Sequence, residues 1–143
     1  MFKYYVMVAI TLLTSCASAN QIEVFGGTLA IESGCVVTVS ANKREQKFTP
    51  KFTPSGECRL MTHSNTNVVK TMFISGMYVF FIENNISKDS GCTSEYSAFG
   101  VSSELDLFTT VMVKKSLSCF QEQEEHSYEY FSKKLSKLEK ANS

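Results

Sequence analysis

Polar and apolar positions alternate along this chain in short runs, and one run stands apart. Between residues 68 and 82, eleven of fifteen side chains are apolar, and Val, Ile, Phe and Tyr dominate. Such side chains suit a pleated, buried surface. Ser75-Gly76 interrupts the run with a turn dipeptide, so the pattern predicts a β-hairpin rather than one long bent strand. From Met77 to Ile82 the alternation is lost. Met77, Val79 and Phe81 fall on one face, and Tyr78, Phe80 and Ile82 on the other. A strand apolar on both faces must be covered on both.

Shorter runs flank this hairpin. Residues 21–32 predict two strands around Gly26-Gly27, and residues 36–39 a third. Residues 42–47 read as a polar turn or strand edge, and residues 57–61 as a strand after the turn Ser55-Gly56. Residues 62–67 form a polar loop into the apolar run. Residues 84–91, rich in Asn, Ser, Asp and Gly, read as a loop that contains the glycosylation pattern Asn85-Ile86-Ser87. Strands are expected at 92–101 and 105–113, with a turn at 102–104. Between them and the start lies a doubled Phe-Thr-Pro, residues 48–54. Proline cannot donate to a ladder, so this stretch is a connector or an edge. Phe48 and Phe52 are its candidate partner-contact residues, because exposed aromatics mark interfaces.

The tail changes period. Tyr128, Phe131, Leu135 and Leu138 step by three, four and three, with acidic residues early and lysines late. That order suits the helix dipole, and the spacing makes one apolar face. An amphipathic helix is expected at about 124–140, lying across the hairpin as its second cover. Tyr128 and Phe131 are the partner-contact candidates if that face is free. The expected fold is therefore α+β, mainly antiparallel β: one sheet of about six to eight strands with a C-terminal amphipathic helix packed on it, in a single domain spanning 20–143.

Residues 1–19 carry Lys3, then an apolar core, then small residues, which is the pattern of a secretory signal. Ala17-Ser18-Ala19 offers a cleavage site that would leave a mature chain starting at Asn20. Leu13-Thr14-Ser15-Cys16 resembles the lipobox of bacterial lipoproteins, in which Cys16 would be lipidated after removal of residues 1–15. Both readings leave four cysteines, and an even count in an exported domain implies two disulfides. Ser33-Gly34-Cys35 and Ser90-Gly91-Cys92 are each followed by a Ser-Ala pair, a Phe-Thr pair and then a second cysteine. This suggests a duplicated unit and one local bridge in each half, Cys35–Cys58 and Cys92–Cys119.

Fourteen basic residues balance fourteen acidic ones in 143 residues, and like charges do not run in blocks. Nucleic acid therefore has no electrostatic footprint here, and a membrane contact is expected only through Cys16. Cysteines without a CxxC spacing and two isolated histidines make no metal signature, and no cofactor fingerprint occurs. His63, beside Ser64, is the one candidate base for a small hydrolase, without a local nucleophile motif to support it. The expectation is a non-enzymatic binding domain of a bacterial envelope: an inhibitor, immunity factor or assembly accessory whose partner is another protein. The alternative is a structural component of an envelope or secretion assembly.

Overall fold

The structure is a computed structural model that describes residues 20–54, 56–63, 66–74, 76–117, 119 and 139–140. Its described residues are all-β, in two antiparallel sheets. The first sheet is a meander of β1 (Gln21–Val24), β2 (Gly27–Glu32), β3 (Val36–Ala41) and β4 (Arg44–Phe48). The second contains β5 (Glu57–Leu60), β6 (Thr71–Ile74), β7 (Met77–Lys88), β8 (Gly91–Ser102), β9 (Leu107–Thr109), β10 (Lys114–Ser116) and β11 (Glu139–Lys140). Two features correct the expected α+β fold. The strands divide between two sheets, and the end of the expected helix, Glu139–Lys140, is extended and pairs with Phe108 and Thr109 of β9. The rest of that segment, with Tyr128 and Phe131, lies outside the described residues, as do the leader and Cys16.

β7 and β8 form the axis of the second sheet, paired over twelve residues from Met77↔Ser102 to Lys88↔Gly91. Ile74 pairs with Met77, so two residues turn β6 into β7. Each flank of this axis carries a strand pair in series. On one side β5 and β6 both pair with β7, separated by an excursion pinned by Met61 N–H to Phe81 O (2.8 Å), Lys70 N–H to Met61 O (2.8 Å) and a Thr62–Val69 bridge. On the other, β9 and β10 both pair with β8. The register shifts by two residues between them, and the Ser97 hydroxyl donates to Met112 O at 3.0 Å across the resulting bulge.

The two faces of β7 are both buried, and they belong to different cores. Phe80 and Ile82 join Phe99, Val101, Leu107 and Leu60 against Val24, Leu29, Ile31, Val37 and Val39 of the first sheet. This is a core between two packed sheets. Val79 and Phe81 face the other way, with Met61, Tyr96 and Ala98, all fully buried. Met72, Ile74, Met77 and Met112 pack around that second cluster.

Particular side chains clip the sheets together. Gln46 of β4 donates to Leu105 O (3.0 Å) and accepts from Leu107 N–H (2.9 Å), which joins the edge of one sheet to the β8–β9 turn and the start of β9 in the other. Leu105, held at φ +63°, closes the β8–β9 turn and sits on Gly27. A Cβ at Gly27 would lie 2.9 Å from both Leu105 Cδ1 and Ser40 O. That close approach explains why position 27 is glycine although it begins β2, the turn itself being Phe25-Gly26 between the paired Val24 and Gly27.

Cys35 is bonded to Cys58 and Cys92 to Cys119. The first bridge ties the β2–β3 turn to β5 in the other sheet. The second ties the start of β8 to the chain beyond β10. Strands β1–β4 and β6–β9 are both consecutive meanders, and Ser-Gly-Cys stands at the central hairpin of each.

Candidate interaction surface

Four turns gather at one end of the molecule: β1–β2, β3–β4, β6–β7 and β8–β9. Three aromatic rings meet there. Phe25, on the β1–β2 turn, packs on Tyr78 at a centroid distance of 5.1 Å, and Phe73 of β6 packs on Tyr78 at 5.0 Å. Phe73 and Tyr78 are cross-strand partners, so they share a face of the second sheet, while Phe25 reaches them from the first. These rings are not buried: Phe25 is 39%, Tyr78 38% and Phe73 62% exposed. Phe25 has φ +47°, in the left-handed region. A bulky side chain rarely takes that conformation, and backbone strain of this kind clusters at functional sites. No such site was visible in the sequence, because Phe25 reads there as the residue before a glycine turn.

The opposite end carries the disulfides and the doubled Phe-Thr-Pro. Phe48 ends β4, and both Phe48 and Phe52 are half-buried against the core between the sheets. Thr49, Pro50, Phe52, Thr53, Pro54 and Gly56 line a shallow cleft of about 250 Å³ beside Cys35. A buried polar row lies under it. Asn84 of β7 pairs with Cys58 on one side and Glu95 of β8 on the other, and Glu95 pairs with Lys115 of β10. Thr53 N–H and Oγ1–H each donate to the Glu95 carboxylate at 2.7 Å. Asn84 Nδ2 donates to Glu95 Oε2 and to Thr53 O, both at 3.1 Å, and Lys115 Nζ stands 3.6 Å from Glu95 Oε1. Burial pushes the Glu95 carboxyl up. The hydroxyl and amide of Thr53, the Asn84 amide and the Lys115 charge outweigh it and hold the carboxyl below its ordinary value. Glu95 is thus an ionised latch whose oxygens are occupied by donors of the chain itself.

This row also corrects the expected loop at 84–91. Residues 84–88 continue β7, because Asn84 and Asn85 find polar partners across the sheet: Asn85 Oδ1 accepts from the Ser94 hydroxyl at 2.6 Å. The glycosylation pattern therefore sits within a paired strand.

Two further carboxylates are similarly engaged. Buried Glu83 pairs with Arg59, and Asp106 with Arg44. His63 is exposed on the excursion between β5 and β6, where its backbone N–H donates to Val68 O at 2.9 Å. Among the described residues no group of three His, Cys, Asp or Glu side chains is placed to hold a metal ion, and no helix is long and apolar enough to cross a membrane. The two disulfides are consistent with an oxidising compartment, extracellular or periplasmic. No family model matches the chain, no curated protein matches it, and no solved structure matches its fold.

Proposed function

We propose that this chain is an exported protein of a bacterial envelope that acts as a non-enzymatic binding domain, in the manner of an inhibitor, an immunity factor or an assembly accessory. The observation that carries the reading is the exposed aromatic corner of Phe25, Phe73 and Tyr78. Aromatic anchors on a rigid frame supply large contact area at low cost in side-chain entropy, and they dominate binding energetics. Here the frame is two sheets joined by a disulfide, and Phe25 is held in a strained turn. A binding role is further supported by the use of Glu83, Glu95 and Asp106 in internal ion pairs and hydrogen bonds. The alternative, a structural component of an envelope or secretion assembly, draws on the uncharged edge strand β6.

Immobilised wild-type protein and its Phe73→Glu variant, both folded by near-ultraviolet circular dichroism, would be exposed to extract of the producing cell. The reading expects one protein retained by the wild type and lost from the variant. Equal retention by both would overturn it. Export has its own test, the mass of the mature N-terminus: a start at Asn20 indicates a soluble protein, a lipidated Cys16 an anchored one, and a retained Met1 refutes export.

A further inference from the structure

The aromatic corner borders a strand edge that differs from every other. Among the described residues the edge strands are β1, β4, β5, β6, β10 and β11. Natural edges are guarded by charge, which blocks pairing with another chain. β1 carries Glu23, β4 carries Arg44, Glu45 and Lys47, and β5 carries Glu57 and Arg59. β10 carries Lys114 and Lys115, and β11 is Glu139-Lys140. β6, Thr-Met-Phe-Ile, carries none and has no proline.

Among the described residues only β7 pairs with β6. Ile74 and Met77 close a two-residue turn, so they form a hydrogen-bonded pair, and Met72↔Val79 is the next such pair. The N–H and C=O groups of Thr71 and Phe73 therefore point away from β7, and both residues are exposed. Lys70, the nearest charge in sequence, is buried.

We propose that β6 is a self-pairing edge, and that two copies of this chain join through antiparallel β6–β6 pairing about a two-fold axis at Met72. Thr71 of one copy then faces Phe73 of its partner, and the outward N–H and C=O groups of both residues are satisfied in four hydrogen bonds. Small faces large on one side of the ribbon, and Met72 meets its own copy on the other. Charge repulsion offers little opposition to the pairing, since β6 carries no charge and basic and acidic residues nearly balance along the chain. Thr71, Phe73 and Tyr78 share a face, so the joined sheet carries both aromatic corners on one side. This inference does not depend on the binding reading: the dimer stands or falls by itself.

So short an edge gives a weak dimer, with a dissociation constant of about 10–1000 µM. Sedimentation of the purified protein over that range reads the mass directly. The expected result is a rise from monomer to dimer with concentration, and roughly tenfold slower exchange of the Thr71 and Phe73 amides, with Met72 and Ile74 unchanged. Phe73→Lys places a charge on the edge and should leave a monomer. Thr71→Pro removes an outward N–H that β7 does not use, and it should do the same without disturbing the fold. Val111→Lys, an exposed apolar site away from β6, should still dimerise. A wild type that stays monomeric at the highest concentration overturns the proposal. So does a dimer that survives both edge variants, or one that Val111→Lys abolishes.

Discussion

Replacing Glu95 by Gln tests whether the buried polar row holds the Phe-Thr-Pro segment in place. Both carboxylate oxygens accept from Thr53, at 2.7 Å each, and Asn84 adds a third bond. Gln keeps one acceptor and turns an amide NH₂ towards the other donor. The Thr53 N–H keeps the remaining acceptor and the Thr53 hydroxyl turns to accept from the new amide, so what is lost is the charge assistance of three hydrogen bonds, about 2 kcal/mol together. Lys115 adds little, because its side chain is 74% exposed. A loss of about 2 kcal/mol corresponds to ~6 °C in Tm for a domain of this size. A structural latch should also loosen locally. Lys51 is exposed within the segment, so limited trypsin cleavage after Lys51 should speed up in the variant before global unfolding. The sign with pH follows from the depressed carboxyl. Its contribution is complete above the ordinary 4.5 and is lost as pH falls through the lower folded value. Stability of the wild type should therefore decline below that pH, and the Glu95→Gln profile should be flatter there. A Tm change under ~2 °C with unchanged cleavage at Lys51 would refute the latch.

Other substitutions probe neighbouring features. Gly56→Ala would place a Cβ 2.1 Å from Asn84 Oδ1 and 3.0 Å from Asn85 O. Because the Thr53–Glu95 row fixes Asn84, about 2–3 kcal/mol should be lost in urea denaturation. Gln46→Ala strips Leu107 N–H and Leu105 O of their partner and should cost about 2 kcal/mol by the same assay. The Cys92→Ala, Cys119→Ala pair opens a loop closed at a separation of 27 residues, and should lower stability by ~3 kcal/mol. Peptide mapping of the parent should recover Cys35 with Cys58 and Cys92 with Cys119.

What was legible in the sequence was whatever the local pattern determines. Residues 77–82 announced a strand buried on both faces because six consecutive apolar side chains leave no polar face, and from Val79 to Ile82 each side does lie in its own cluster, while Tyr78 at the strand's start stays exposed. The turn dipeptide Ser75-Gly76 marked the β6–β7 hairpin, and the cysteine spacing pointed to two local bridges. Long-range complementarity was not legible. Asn84 looks like a loop residue until Thr53, 31 positions away, and Glu95 are brought beside it. Period indicates strands but not their partners, so one sheet was expected where there are two. The tail's apolar step implied helix through residue 140, yet at Glu139–Lys140 pairing with β9 prevails over local propensity. Phe48 and Phe52 suggested a displayed edge, and both lie half-buried at the margin of the core. The aromatic corner escaped notice because it joins positions 25, 73 and 78, which only the packing of two sheets brings together.

The binding role is tested most directly in the producing cell, with a photo-reactive phenylalanine analogue at position 73, 78 or 111. Irradiation should yield an adduct with a second protein from positions 73 and 78 and none from 111. An adduct of twice the chain's mass would report the β6 dimer, and a different mass a separate partner. If 73 and 78 cross-link no more than 111 does, the aromatic corner is not a contact surface, and the binding reading loses the observation that carries it.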